Sequence, residues 1–355
     1  MLKKISIYQI GLLPLALVAG PFVAELLLFS IFLSFLYFII KEKKKNLFNE
    51  NTLKIFLIFW LYIVFLSFFS IEKIISLKSS FFYFRFGFYT LAIIYFLSSV
   101  FNSVVIIYKI YKYTLIFVII DSFFQIFFGQ DIFGLRPNNE DLMRISGPFG
   151  DQFILGSFLQ KILPVFIYMI LKNSKSLNSI KLTDFLIITL SFVLIYRSGD
   201  RSALGLIGIF SLIFFLINKS LRKKVIKVFF LFLIISIFIT LQNPKIFERN
   251  FNDTIGQFKG KYYEKFLDDN NNETKLNFMI FSFHHQTHYS TAFRMFMDQP
   301  IFGHGPKSFR FKCKNFEFKP PKDVTNTAGD TKKSYGCSTH PHNTYLQLLS
   351  ETGII

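Results

Sequence analysis

The sequence predicts an all-α fold: a polytopic helical bundle in a membrane, with one large polar loop on its outer side. Three observations lead there. The 355 residues are 52% hydrophobic, include 51 phenylalanines and carry only 17% charged residues, a balance foreign to soluble domains. The apolar residues gather into runs of about 20, the length needed to cross roughly 30 Å of hydrocarbon. Between those runs the lysines and arginines alternate from dense to sparse.

Nine candidate spans follow, near 5–19, 22–40, 53–70, 81–98, 111–128, 151–171, 184–197, 202–218 and 225–241. The first is short, and Gly20-Pro21 makes it one arm of a hairpin rather than a cleavable signal. The N-terminus and every second connection hold 17 Lys/Arg, against six in the intervening ones, so the positive-inside rule puts the N-terminus in the cytoplasm. The net charge of +18 is therefore a topology signal, not a groove-lining patch for nucleic acid. Residues 1–241 then form the transmembrane bundle, 242–340 an outer loop region and 341–355 the start of a further helix.

That outer region holds both cysteines, Cys313 and Cys337, which an oxidising compartment would allow to pair; two free thiols are the alternative. The charged stretch 245–277 reads as a surface excursion without chemistry of its own. Gly303-His304-Gly305 lacks the strand and the further glycine of a dinucleotide site.

The sparse connections carry arginine in compact turns. Arg197-Ser198-Gly199-Asp200-Arg201-Ser202 joins two spans with almost no loop, and two guanidiniums at a tight turn make a forked anion site. The alternative is a pair of interfacial anchors, one of them neutralised by Asp200. Arg144 precedes the Gly147-Pro148-Phe149-Gly150 turn and is a second ligand candidate, with Arg136 in support. Arg85 and Asp121 lie inside apolar spans and read as an interior ion pair, with Gln125 one turn beyond Asp121. Arg294 falls on a helical pattern, facing either a ligand or Asp298 four residues on. His284, His285 and His288 have metal-like spacing but no carboxylate or cysteine beside them, so zinc is the weaker reading.

His340-Pro341-His342-Asn343-Thr344-Tyr345 stands out against this background. Proline suits a helix's first turn, so the spacing predicts a helix opened by these residues with Tyr345, Leu346 and Leu349 on the face of His342. His342 would then be a general base whose protonation the helix N-terminus disfavours; an interfacial histidine without chemistry is the alternative.

Taken with Gln347, Glu351-Thr352-Gly353 and the preceding Pro300-Ile301-Phe302-Gly303-His304-Gly305-Pro306, this segment resembles the signature of the O-antigen ligase and O-antigen polymerase superfamily. Arg201-Ser202-Ala203, Gly147-Pro148-Phe149 and the stretch from Gln125 to Gly134 extend the resemblance over roughly 10–355. It implies a multi-pass glycosyltransferase of the bacterial inner membrane that works at the periplasmic face. The donor would be an undecaprenyl-diphosphate-linked glycan and the acceptor lipid A core or a second lipid-linked glycan, with membrane lipids around and no nucleotide sugar, metal or other cofactor. The catalytic histidine carries over to His342 and the diphosphate-binding arginines to Arg201 and Arg294, with Arg197 and Arg144; His340 and Asn343 are supporting. Ligation to lipid A core is the first expectation and polymerisation the second. A flippase for lipid-linked sugars is the rival of another class, although midplane charges and a repeat between halves do not show. The family continues past this glycine with further spans, so a truncated sequence is also expected.

Overall fold

A computed structural model describes residues 2–43, 51–137, 144–173, 180–258, 283–318 and 336–354. Among these the chain is helical, with no strand. Among the described residues six stretches are long and apolar enough to cross a membrane: Leu2–Ala19, Pro21–Glu42, Lys73–Ser99, Ser103–Phe128, Leu155–Asn173 and Lys219–Gln242. Leu53–Ser67 and Arg201–Ile217 are shorter apolar helices. The protein is thus an all-α polytopic membrane protein. The chain falls into two compact units, residues 1–43 with 91–254 and residues 44–90 with 255–355.

In the first unit, α1 (Leu2–Ala19) and α2 (Pro21–Glu42) form the expected hairpin. Gly20 at φ 127° and Pro21 at the first helical position end one helix and begin the next. Gln9 Nε2 donates to Ser30 Oγ across the pair at 2.8 Å, and Lys3 pairs with Glu42, which also accepts from Tyr95 Oη. α6 (Ser103–Phe128) starts more than two turns before the expected 111. Lys109, which precedes the expected start, is therefore helical, as is Lys112. Lys112 Nζ lies 2.8 Å from Asp184 of α8 (Leu182–Arg197), whose carboxylate also accepts from Tyr108 Oη. Paired cations and flexible stems let the helix continue past its apolar run.

α7 (Leu155–Asn173), α8, α9 (Arg201–Ile217) and α10 (Arg222–Gln242) complete this unit, with the short α11 (Pro244–Phe247) and a π-helical turn at Glu248–Asn252 after them. Leu155, Leu159, Leu163 and Phe166 line one face of α7, and all four are fully buried. At the end of α6, Gln125 clamps the next loop. Its Oε1 accepts from the Ser146 and Gly147 N–H groups at 2.9 and 2.8 Å. Asp121 Oδ1 accepts from Ile132 N–H, so both polar residues of this span hold loop backbone; Arg85 belongs to the other unit.

The second unit holds α3 (Asn51–Ser67), α4 (Lys73–Phe81) and the start of α5 (Phe84–Ser99), together with α12 (Asp253–Phe258) from Ile255 on, α13 (Phe283–Asp298), α14 (Phe309–Lys312) and α15 (Thr344–Thr352). Trp60 Nε1 donates to the last carbonyls of α4, Ser80 and Phe81, and Tyr62 Oη to the Thr352 carbonyl at 2.6 Å. Ala292, Met295, Phe309, Cys313 and Phe318 make a small core, with Cys337 and Leu346 against it. Cys313 and Cys337 are joined in a disulfide across 24 residues, and closing a loop of that length stabilises by about 3 kcal/mol.

Candidate active site

In the first unit the site is built on the turn between α8 and α9. α8 ends at Arg197, whose side chain is only 9% exposed, and α9 begins at Arg201. Asp200 Oδ1 caps α9, accepting from Ala203 N–H at 3.1 Å and Ser202 Oγ at 2.7 Å. Gly199 lies between them at φ +65°, and a Cβ there would meet the Arg249 side chain at 2.9 Å. Its bareness lets two arginine stems close on the turn. Arg144 Nε donates to the Ser198 carbonyl and Arg249 Nε to the Gly199 carbonyl, each at 3.0 Å. Both guanidiniums are thus fixed by their inner nitrogen while the fork of terminal nitrogens retains donor capacity. The Arg144 guanidinium also stacks over the Phe153 ring at 4.4 Å.

Burial, with the Arg249 and Arg201 charges beside it, pulls Arg144 down to about 10, while Asp200 opposes. It remains a cation at neutral pH, and like charges this close disfavour one another, so the arrangement suits a polyanion. Arg249 has no place among the residues singled out from sequence; it lies in the stretch set aside as a surface excursion. Its only local signal is a position five residues past the Pro244 break. Residues 259–277 of that stretch lie outside the described residues. Arg136 is exposed, with Nη2 3.5 Å from Gln130 Oε1.

In the second unit the site is the strap before α15. The expected helix start is corrected here: α15 begins at Thr344, and His342 precedes it in the left-handed region at φ 57°. The reason is Asn343, whose extended backbone and side-chain oxygen, accepting from Tyr345 and Leu346 N–H, make it a stronger start signal than Pro341. Tyr345, Leu346 and Leu349 are therefore not on a helical face of His342. A left-handed non-glycine residue costs about 1–2 kcal/mol.

The ring of His342 sits among other imidazoles. Its centroid is 4.2 Å from His340, 5.3 Å from His288 and 5.5 Å from His285, the last two on the first turns of α13. Burial first, then the His340 and His285 charges, push its pKa below the usual 6.5, so the neutral base form is favoured, by causes other than the expected helix terminus. Among the described residues no group of three or more His, Cys, Asp or Glu has a metal-holding arrangement, and the side chain of His284 lies outside them. Arg294 is exposed on α13, nine residues and so half a turn round from His285, and Asp298 approaches His304 Nε2 at 3.4 Å.

What holds the far end of α15 is the glycine motif. His304 and Gly305 N–H donate to the Ser350 and Glu351 carbonyls at 3.1 and 2.8 Å, and Ile354 N–H to the Pro300 carbonyl at 2.9 Å. A Cβ at Gly353 would overlap the Ile301 carbonyl, and one at Gly303 would meet the 351–353 backbone. The two sequence segments are joined backbone to backbone. His304 is structural: buried, with Nε2 donating to the Met295 carbonyl at 2.9 Å and Nδ1 facing Lys312 Nζ at 2.6 Å.

Comparison with known proteins adds the family. Residues 186–355 match the model described as O-antigen ligase, a span containing Arg197, Arg201, Arg249, Arg294 and His342 but neither Arg136 nor Arg144. No curated protein and no solved structure matches the chain. Residues 186–355, just under half of the chain, hold both the arginine turn and the histidine strap and are similar to the O-antigen ligase family.

Proposed function

We propose that the protein transfers an undecaprenyl-diphosphate-linked glycan to an acceptor sugar hydroxyl at the periplasmic face of the inner membrane. One observation carries the reading: within the family-matched span, His342 is an imidazole whose neutral form is favoured, on the strap that leads into α15. The acceptor oxygen attacks the anomeric carbon as the bond from that carbon to the diphosphate breaks. The hydroxyl proton passes to His342, and the lipid diphosphate departs with its charge compensated by Arg197, Arg201, Arg144 and Arg249. Arg294 is assigned to the substrate on family resemblance alone. His340 and Asn343 position His342, one by its ring and one by starting α15. The outward orientation rests on the lysine distribution.

The acceptor we assign is lipid A core. In a strain lacking the protein, long lipid-linked polymer then accumulates unattached; single attached units would instead identify a polymerase, and normal attached polymer would overturn both. His342→Ala should lower in vitro transfer about 10²–10⁴-fold, the contribution of a general base. Full activity in that variant, as expected of a flippase, would remove the proposed base.

A further inference from the structure

Where α1 and α6 begin, at the other end of α6 from the Gln125 clamp, Lys3, Lys4 and Tyr8 line a cavity of about 670 Å³ together with Asn102 and Lys109. All of it lies within the first unit, and among the described residues no carboxylate lines it. Its three lysines are not equivalent. Lys3 pairs with Glu42 and lies over the Phe38 and Tyr95 rings, 5.1 and 5.0 Å from their centroids, so its charge is compensated inside the bundle. Lys4 and Lys109 are exposed and have no acidic partner among the described residues. Lys109 stands about 9 Å along α6 from Ser103, deeper than a headgroup layer of about 5–8 Å. Lys112, three residues further on, has Asp184 as its counter-ion, whereas Lys109 opens only on the cavity. Val100, Phe101, Val105 and Ile106 add an apolar wall, on which Phe101 is 91% exposed.

We infer that this cavity binds the headgroup of an anionic phospholipid with two phosphodiesters, of the cardiolipin class, with Lys4 and Lys109 each meeting one phosphate. The inference goes beyond the transfer reaction and does not depend on it. Two uncompensated cations on separate helices call for two anions held a short linker apart, and a lipid with one phosphate leaves one lysine unmatched. A zwitterionic headgroup would bring its own ammonium against the lysines. The apolar wall beside them suits the first carbons of acyl chains, which a soluble phosphate lacks. Both flanking segments also belong to the lysine-rich set that reads as cytoplasmic, and basic pockets between helices on that side recognise such headgroups.

The test compares two double variants that remove the same charge. Lys4→Gln with Lys109→Gln strips the cavity; Lys172→Gln with Lys219→Gln strips two exposed lysines of the same lysine-rich set that do not line it. Exposed substitutions of this kind leave folding intact. The full-length proteins, in phosphatidylethanolamine nanodiscs, are titrated separately with cardiolipin, phosphatidylglycerol and inorganic pyrophosphate, and bound ligand is read by native mass spectrometry. The expected result is that wild type prefers cardiolipin to the other two, and that the cavity variant alone loses at least about tenfold in cardiolipin affinity. Unchanged affinity in the cavity variant overturns the inference, and so does an equal loss in both variants, which would mark a general attraction of the basic face. Phosphatidylglycerol bound as tightly as cardiolipin overturns the two-phosphate assignment, and pyrophosphate bound as tightly overturns the lipid. Binding is read without turnover, so an inactive His342→Ala protein that still binds cardiolipin at this cavity leaves the inference standing.

Discussion

The arginine turn and the histidine strap solve opposite electrostatic problems. On the turn, cations are gathered: Arg144 and Arg249 each anchor Nε on a backbone carbonyl, and Gly199 leaves room for both stems. On the strap, a titratable ring is kept uncharged, with burial and imidazole neighbours pushing His342 toward its neutral form. The backbone behaves differently too. The turn relies on glycine for its left-handed residue, whereas the strap imposes that conformation on histidine, and Gly303 and Gly353 serve the far end of α15. The contrast teaches that the charge state of each group is set by its immediate shell.

The comparison can be broken most directly at Gly353. It sits at φ 74° and ψ −162°, a conformation that costs a side-chain-bearing residue about 1–3 kcal/mol before the overlap with Ile301 is counted. Gly353→Ala should therefore lower the unfolding temperature of the purified protein by several degrees and abolish transfer. Wild-type stability and activity would mean that the far end of α15 does not depend on its glycines. A smaller effect is expected at Arg249. Charge-assisted contacts contribute about 1.5–3 kcal/mol, so Arg249→Ala should raise the donor KM at least tenfold, with Arg249→Lys intermediate because it keeps the charge and loses the Nε anchor. An alanine variant equal to wild type would confine the anion pole to Arg197, Arg201 and Arg144.

The smallest effect is on pH dependence. With His342 as the proposed base, the rate should fall only as pH drops through a value below the usual 6.5. Replacing His340 or His285 removes a positive neighbour on the acid side, which raises the His342 pKa and moves that limb to higher pH. A rate profile that stays put in both variants would show that burial alone sets the ring.

Much of this was legible in the sequence. Apolar runs and lysine alternation identify the membrane fold because each span declares itself locally, and His342 and the Arg197–Arg201 turn stand out as polar groups in an apolar chain. Other parts were not legible for physical reasons. Arg249 reaches Gly199 across 50 residues, a tertiary contact that no spacing rule encodes. His285 and His288 meet His342 over a similar separation. The start of α15 was a contest between two local signals, and the capping amide of Asn343 prevailed over the proline. At α6, pairing of Lys112 with Asp184 let a helix extend beyond its hydrophobic run.

The backbone seam between 300–305 and 350–354 has a consequence for how such a chain can change over time. Because both ends of the intervening stretch are pinned by main-chain hydrogen bonds, the position of α15 is set by the seam and not by the number of residues between its halves. Doubling a loop adds only about 0.6 kcal/mol to its closure. Insertions and deletions between Cys313 and Cys337 should thus leave α15 in place.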